Sequence, residues 1–387
     1  MWSTIIFLLL TCNQITSNTL KKLSLSIALL VLPLFSSAQK IVLGTCTTQD
    51  GGIYKGQMMN GKPNGKGSTV FKNGNTYVGE YIKGKREGYG VYTFSDGERY
   101  EGEWFQDQQH GRGTYYFANN NKYVGLWFRD YQQGLGTMYY YNGDIYKGAW
   151  KNDMRNGKGT YTYKSGAFYK GEWLDDKKSG QGVFDWKDGS KYDGAWSNNY
   201  RNGKGTFFYL NGDCYIGDWK DDVQDGKGIY KFKNGDLYEG QYLQGERTGE
   251  GIFTYANGDR YVGHFLNGEQ SGQGTYTWKG TATYTGQWKN NKRNGQGTYK
   301  RKDDYEYQGG WKDNQMDGEG VLRMANGEKY RGMFRANKKN GKATVIHADG
   351  SRFDGTFKDD VKDGAFIEYD RNGNVVRKGK YVNGQLQ

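Results

Sequence analysis

The chain is poor in the residues that carry most enzyme chemistry, since its 387 residues include only three His and three Cys. His110 and His264 have no Cys or other His near them in sequence, so the ligand spacing of a metal site is absent. No Gly-x-Ser-x-Gly nucleophile elbow occurs. The segments RNGKGT at 155–160 and 201–206 lack the Gly-Lys-Ser/Thr of a phosphate-binding loop. We therefore expect no catalytic residue, no metal and no cofactor, and predict that the protein is not an enzyme.

Paired carboxylates are present, but they do not have the alternating spacing of a calcium loop. Because that spacing is missing, we interpret these residues as solvated acids of turns. The pairs are Asp175-Asp176, Asp221-Asp222, Asp303-Asp304 and Asp359-Asp360.

Long apolar runs are confined to the N-terminus. Residues 20–39, LKKLSLSIALLVLPLFSSAQ, combine two Lys, an apolar stretch and a small-residue end, which predicts a secretory signal cleaved near Ala38 to Lys40. The run is short for a transmembrane helix, although an uncleaved anchor stays an alternative. Residues 1–19 hold a second, uncharged apolar run, and we hypothesise that translation begins at Leu20 instead. We predict an exported protein (periplasmic, outer-surface or secreted) with no integral membrane span after signal removal.

Charge and cysteine content constrain the remaining chain. Residues 1–39 contain Lys21, Lys22 and no acid, so their removal lowers the net charge from +12 to +10. This mild excess favours anionic partners, but the basic residues are interspersed with acids, and we predict no nucleic-acid site. Cys46 and Cys214 stand about seven repeats apart, roughly 70 Å at strand spacing, which predicts no intramolecular disulfide.

What the chain has in abundance is glycine and aromatic residues: 62 Gly, 34 Tyr and 11 Trp, with only 2 Pro. They follow a period of 23 residues. Tyr-x-Gly begins at Tyr54 and recurs every 23 residues through Tyr330, with Phe353 in the fourteenth copy. Such self-similarity indicates a repeat array.

Within one copy, Tyr146-x-Gly148-x-Trp150 and Gly157-x-Gly159-x-Tyr161 both have the two-residue period of a strand. The spacing therefore predicts two strands in each copy, with the aromatic rings on one face of the sheet. We expect Gly148, Gly157 and Gly159 to leave space for these rings. Asn142-Gly143 predicts a two-residue type I′ hairpin turn, and Lys151 to Asn156 a longer polar connection. The prediction is an all-β fold: an elongated, single-layer antiparallel solenoid of stacked β-hairpins.

The motif Tyr146-Lys-Gly148-Ala-Trp150, with Gly157-Lys-Gly159-Thr-Tyr161 and Asn142-Gly143, resembles the MORN repeat (membrane occupation and recognition nexus), in a bacterial exported form. The resemblance covers about residues 45 to 373. We predict a partial repeat or cap at 40–53, fourteen repeats over 54–375 and a partial repeat or cap at 376–387, where the frame slips by one residue. Terminal repeats usually act as caps.

The resemblance implies a scaffold and, by the family's reputation, phospholipid contact. We predict a non-catalytic scaffold that binds a protein partner or the cell-envelope or membrane surface. A glycan or peptidoglycan binder that stacks sugars on the aromatic face stays open, as does anionic lipid binding. The candidate binding rings are the Trp four residues after the Tyr, partly exposed if a single layer leaves them uncovered: Trp104, Trp127, Trp150, Trp173, Trp196, Trp219, Trp288 and Trp311.

Overall fold

The structure is a computed structural model, and it describes residues 40–387. The predicted signal peptide at 1–39 and the hypothetical start at Leu20 lie outside the described residues.

Residues 40–387 form 31 β-strands and no helix. Each strand between β1 and β31 pairs antiparallel with the strand before it and the strand after it, so that one open sheet runs from β1 to β31. The predicted all-β repeat of hairpins is confirmed. The strands are β1 Val42–Thr47, β2 Ile53–Met59, β3 Lys62–Val70, β4 Thr76–Ile82, β5 Lys85–Thr93, β6 Arg99–Phe105, β7 Gln108–Tyr116, β8 Lys122–Phe128, β9 Tyr131–Tyr139, β10 Ile145–Lys151, β11 Met154–Thr162, β12 Phe168–Leu174, β13 Lys177–Asp185, β14 Lys191–Ser197, β15 Tyr200–Phe208, β16 Cys214–Lys220, β17 Val223–Lys231, β18 Leu237–Leu243, β19 Glu246–Thr254, β20 Arg260–Leu266, β21 Glu269–Trp278, β22 Ala282–Lys289, β23 Lys292–Arg301, β24 Tyr305–Lys312, β25 Gln315–Met324, β26 Lys329–Arg335, β27 Lys338–Ile346, β28 Arg352–Lys358, β29 Val361–Tyr369, β30 Val375–Val382 and β31 Gln385–Leu386.

The two-residue turn lies on the other side of the repeat from the predicted one. Asn152 and Asp153 alone connect β10 to β11, and both have positive φ, at 49° and 64°. Positive φ at both central residues is the signature of a type I′ hairpin turn. The longer connection predicted between Lys151 and Asn156 is therefore wrong.

Asn142 and Gly143 lie in the longer loop, between β9 and β10. Gly143 has a φ of 92°, whereas Asn142 is not among the residues with positive φ. The Gly143 N–H donates to the Tyr140 carbonyl at 3.0 Å, and the Tyr140 N–H donates to the Asp144 carbonyl at 3.0 Å. This is a three-residue hairpin loop that ends in a left-handed glycine. The type I′ turn predicted at Asn142-Gly143 is wrong because only the glycine adopts positive φ.

The core is a double column of rings on one face of the sheet. The repeated Tyr residues are 0–1 % exposed, and the ring four residues later is 2–7 % exposed. Tyr146 meets Trp150 edge to face at 5.3 Å and Trp173 of the next repeat at 5.4 Å. Edge-to-face pairs at this separation are favourable beyond the area they bury. Each repeat is therefore held to the next by the same contact that holds it together internally.

Two of the three motif glycines make room for a ring. A Cβ at Gly148 would come within 2.5 Å of the Gly159 Cα, and a Cβ at Gly159 would overlap the Tyr146 ring. The Tyr146 hydroxyl crosses this glycine pair and donates to the Ala149 carbonyl at 3.0 Å.

Gly157 has another role from the one predicted, since a Cβ there would meet only the Cβ of Ala149, at 3.1 Å. Its φ is 94°, and the ladder between β10 and β11 shifts register between Gly148 and Trp150. All fourteen glycines at this position, from Gly65 to Gly364, have positive φ. The invariant glycine therefore supplies the backbone turn of a bulge rather than space for a ring.

Candidate interaction surface

The eight Trp predicted as binding rings lie inside the core. Trp104, Trp127, Trp150, Trp173, Trp196, Trp219, Trp288 and Trp311 are 5–7 % exposed. In six of them the indole N–H donates to a glycine carbonyl of the preceding repeat, as from Trp196 to Gly182 at 2.9 Å. Tyr rings pack edge to face against these Trp, and Arg or Lys side chains lie over several of them, so they offer little surface on which a sugar or a peptide could stack.

A second line of rings on the same face is partly open to solvent. We call it the aromatic row. All its members are half-buried except the buried Phe184, and the centroids of consecutive rings lie 4.4–5.7 Å apart. The row comprises Tyr140, Tyr161, Tyr163, Phe184, Trp186, Phe207, Tyr209, Tyr230, Phe232, Phe253, Tyr255, Tyr276, Trp278, Tyr299 and Tyr305.

Most rings of the row come from the far end of the Gly-x-Gly strand and from the first loop residue after it; Trp278 is instead the last residue of β21, and Tyr305 is the first residue of β24. Alternation places Tyr161 and Tyr163 on the face of Tyr146, but Trp173 of the next repeat covers only the inner side of Tyr161, at 6.3 Å. The outer side is left to solvent. A sequence signal for the row was present, because Trp186 and Trp278 stand outside the column of core Trp.

Cations lie between the two lines of rings. The Arg155 guanidinium is 4.3 Å from the Trp173 centroid and 5.5 Å from that of Tyr161. The Asp176 carboxylate of the next tight turn accepts from Arg155 Nε at 2.8 Å and from the Arg155 backbone N–H at 3.0 Å. Arg86, Arg201 and Arg293 take the same position over the Trp of the following repeat. Arg86, Arg155 and Arg201 are each paired with an Asp of the next tight turn, whereas Arg293 bonds to the neutral Asn314.

Carboxylates hold the hydroxyls of the row at the loop edge. The Tyr161 hydroxyl donates to Asp144 at 2.7 Å, and the Lys164 N–H donates to the same carboxylate at 2.8 Å. Asp259 accepts in the same way from Tyr276 and Lys279. The hydrogen bond from the Lys279 N–H lowers the pKa of Asp259. The acid thus stays ionised and orients the ring above it.

The opposite face of the sheet is mixed in character. Ile216, Ile229 and Ile252 line a shallow cavity of about 840 Å³ together with Lys204 and Glu239. Both signs of charge border this cavity, so it presents no extended cationic surface.

The groups considered for chemistry are dispersed. His264 lies 3.6 Å from Glu250, and His347 lies 3.4 Å from Glu328. His110 is flanked by Phe105 and Phe128, at 5.5 and 5.3 Å. Among residues 40–387, no group of three or more His, Cys, Asp or Glu is arranged to hold a metal ion.

Cys46 and Cys214 are both free. Within the part of the chain that the structure describes, no helix has the length and apolarity needed to cross a membrane.

Comparison with known proteins identifies the repeat. The family described as MORN repeat matches thirteen segments, at 54–76, 77–99, 100–122, 123–145, 146–168, 169–191, 192–214, 215–237, 238–260, 261–280, 284–304, 307–329 and 330–352. The hairpin of β28 and β29, which follows the last segment, carries Phe353 and Phe357 in the core. No curated protein matches the chain.

Three solved structures align with the chain at low similarity. The TCP domain of Drosophila melanogaster SAS-4 (dCPAP), in complex with a proline-rich motif of Ana2, shares 18 % identity over 40 % of this chain and 85 % of that chain, with a TM-score of 0.27. A mutant TCP10 domain of Danio rerio CPAP shares 10 % identity over 81 % and 99 %, with a TM-score of 0.18. An inactive virginiamycin B lyase from Staphylococcus aureus shares 11 % identity over 75 % and 94 %, with a TM-score of 0.12. At these TM-scores the alignments bear on neither fold nor function.

Proposed function

Because the chain belongs to the MORN-repeat family, we propose that it is an exported, non-catalytic scaffold that binds a polypeptide partner along the aromatic row. MORN repeats generally bind proteins or membranes. The observation that carries the proposal is the continuity of the row, from Tyr140 to Tyr305 without a missing ring. A long apolar line of this kind on a repeat protein suits an extended ligand.

The row is organised before any ligand arrives. Tyr161 is held by its hydrogen bond to Asp144 and by the Tyr163 ring, whose centroid is 4.7 Å away. Binding therefore immobilises few side chains, which lowers the entropic cost of association. The same rings offer an apolar side to the partner and a hydroxyl at the edge, a combination common in protein-binding surfaces.

The charges beside the row favour a polypeptide over an anionic membrane. Anionic lipid surfaces recruit clusters of unpaired Lys and Arg. Acids match three of the four Arg that lie over a Trp: Arg155 pairs with Asp176 at 2.8 Å, Arg201 with Asp222 at 2.9 Å and Arg86 with Asp107 at 3.4 Å. The fourth, Arg293, meets the neutral amide of Asn314. The loop edge adds acids such as Asp144. The net positive charge of the chain is thus not concentrated where the rings are open.

Affinity capture followed by direct binding tests the proposal. The full chain is immobilised and exposed to an envelope extract and, in parallel, to insoluble peptidoglycan and to anionic liposomes. A protein that is retained is identified, purified and titrated against the wild type and two variants. The row variant combines Tyr163→Ser with Phe232→Ser. The control combines Ile229→Ser with Ile252→Ser, which removes two half-buried apolar side chains from the opposite face.

We expect the row variant to raise the Kd at least about tenfold, the effect of losing one or two interface hot spots, and the control to leave it unchanged. Equal binding by both variants contradicts a role for the row. Retention on peptidoglycan without a protein partner supports the glycan alternative, and retention on anionic liposomes alone supports the lipid alternative.

A further inference from the structure

The two outermost long strands of the sheet each have an edge that the described residues do not fully pair. β1 hydrogen-bonds to β2 on one side, and no described residue pairs with its other side. β30 pairs with β29 along most of its length, but on its other side β31 covers only Tyr381 and Val382. Unpaired backbone at a strand edge is a template for another strand.

The two edges are of opposite kinds. In every repeat a Tyr-x-Gly strand is followed by a Gly-x-Gly strand, as β10 is by β11. β1 is of the second kind, since Gly44 lies opposite Gly56 just as Gly159 lies opposite Gly171. It has no Tyr-x-Gly strand beside it among residues 40–387.

β30 is of the first kind. Tyr381 lies opposite Gly364, as Trp150 lies opposite Gly134. Gly379 precedes Tyr381 by two residues, as Gly148 precedes Trp150. Over most of its outer edge β30 therefore has no Gly-x-Gly strand, which is the kind of strand that β1 is.

On both edges, some backbone N–H and C=O groups point away from the strand that is already paired. The Thr48 N–H donates to the Gly52 carbonyl at 2.8 Å. Hydrogen-bonded pairs alternate along an antiparallel ladder. The backbone N–H and C=O groups of Gly44 and Cys46 therefore point towards β2, and those of Thr45 point away from it. At the other end the Lys380 carbonyl accepts from the Gln387 N–H at 3.0 Å, so it faces away from β29.

By the same alternation the backbone N–H and C=O groups of Lys378 point away from β29, as those of Thr45 point away from β2. In the hairpin of β10 and β11, Lys147 lies opposite Thr160, and Gly148 lies opposite Gly159. Transferring this register to the two edges puts Lys378 opposite Thr45, and Gly379 opposite Gly44. Neither pair brings like charges together.

The glycine of β1 also has space beside it. In the array, each such glycine is covered by the ring of the Tyr-x-Gly strand, as Gly67 is by Tyr54. At Gly44 only the Met58 side chain comes near, with its Sδ 2.8 Å from where a Cβ would stand. The place that a Tyr ring fills elsewhere is available to a side chain of an added strand.

We propose that β30 of one copy adds antiparallel to β1 of a second copy, with Lys378 opposite Thr45, so that copies of the chain associate head to tail. The two joined surfaces differ, so each pair of copies leaves one free edge of each kind and the association is open-ended. This inference rests on strand register alone and is independent of what binds the aromatic row.

Sedimentation velocity of the full chain tests the association. We expect the weight-average sedimentation coefficient to rise with protein concentration. Thr45→Pro is expected to abolish this rise, because proline removes an N–H that points away from β2 and is tolerated on an edge strand. Thr45→Val keeps the N–H and is expected to behave as the wild type. Circular dichroism and Tm, unchanged in both variants, show that the fold is intact.

A wild-type chain that stays monomeric at every concentration overturns the proposal, as does a Thr45→Pro chain that associates like the wild type. Cross-linking fixes the register. Opposed residues in an antiparallel pair have Cα atoms about 4.5–5.5 Å apart, within disulfide reach. When Thr45→Cys and Lys378→Cys chains are mixed and oxidised, peptide mapping should find a disulfide between positions 45 and 378. A disulfide between two copies of position 45 would instead establish a two-fold pairing and refute the head-to-tail arrangement.

Discussion

The Tyr146 ring lies directly over Gly159 of the neighbouring strand, and its hydroxyl reaches past the glycine to the Ala149 carbonyl. A methyl group at Gly159 would stand 2.6 Å from ring atoms, well inside van der Waals contact. We expect Gly159→Ala to lower the free energy of unfolding by about 1–3 kcal/mol, the usual cost of overpacking a core. Urea unfolding and amide hydrogen exchange of β10 to β12 measure it. Gly97→Asn, at an open turn position with a φ of 92°, is the control; an equal loss in both variants contradicts the ring-contact explanation.

Substitutions of Gly157 distinguish backbone strain from crowding, because the φ of Gly157 is 94° and only the Ala149 Cβ lies near the position of an added Cβ. We expect Gly157→Ala to cost about 1–2 kcal/mol, the penalty of left-handed backbone for an L-residue. Gly157→Asn should cost less, since Asn tolerates positive φ better. Urea midpoints of the two variants give the comparison. An Asn variant less stable than the Ala variant would show that space, not backbone conformation, selects glycine here.

The contact of Arg155 with Asp176 joins consecutive tight turns, and its charge should matter little. Asp176 is 47 % exposed at its side chain, and exposed ion pairs contribute little. At the equivalent position Asn314, a neutral amide, accepts from the Arg293 N–H at 2.8 Å. We therefore expect Asp176→Asn to change the unfolding free energy by less than about 0.5 kcal/mol and Asp176→Gly by about 1 kcal/mol. Gly keeps the positive φ of this position, so the difference reports the lost acceptor. Equal values for both variants would assign the stabilisation to charge.

Alkaline pH should weaken the fold through the core tyrosines. Burial raises the pKa of Tyr54, Tyr238 and Tyr284 to about 12, from an ordinary value of 10.0. Above pH 10 the unfolded chain releases phenolic protons that the folded chain keeps, so the folded state binds more protons and stability falls as pH rises towards 12. Below pH 10 these groups contribute no pH dependence. Urea midpoints from pH 8 to 12 measure the effect, with absorbance at 295 nm reporting ionisation. Tyr284→Phe should make the decline shallower, and an unchanged slope would contradict the assignment.

The strands and their faces could be predicted because both depend on short-range alternation. Tyr146, Gly148 and Trp150 are two residues apart, and any strand containing them puts them on one face. The identity of the tight turn could not be predicted in this way. Asn142-Gly143 is the better local match to a type I′ turn, yet Asn152 and Asp153 form it. The Asp153 N–H donates to the Gln132 carbonyl at 3.2 Å, and the Asp153 carboxylate accepts from the Gln132 N–H at 2.7 Å. These contacts cross from one repeat to the next and are invisible within a single copy.

The location of the open rings could not be predicted for a similar reason. Trp150 and Tyr161 are equally aromatic and lie on the same face. Trp150 is enclosed between Tyr123 of the preceding repeat and Tyr146, each of which meets it edge to face at 5.3 Å. Tyr161 stays half-buried although Tyr140 and Tyr163 lie beside it, at 5.7 and 4.7 Å. Burial of a ring thus depends on the stacking offset between repeats, which a pattern of spacings does not contain.

On both margins of the sheet, hydrogen bonds join successive repeats, as between Asp153 and Gln132 on one side and between Asp144 and Lys164 on the other. An insertion of one residue in such a turn would shift it against its neighbours, which is consistent with a spacing kept at 23 residues from Tyr54 to Phe353. The length of the array can therefore change only by whole repeats. Duplication or loss of a complete repeat preserves the contacts between the remaining repeats, so the length of the aromatic row can change in steps of one repeat without a change of fold.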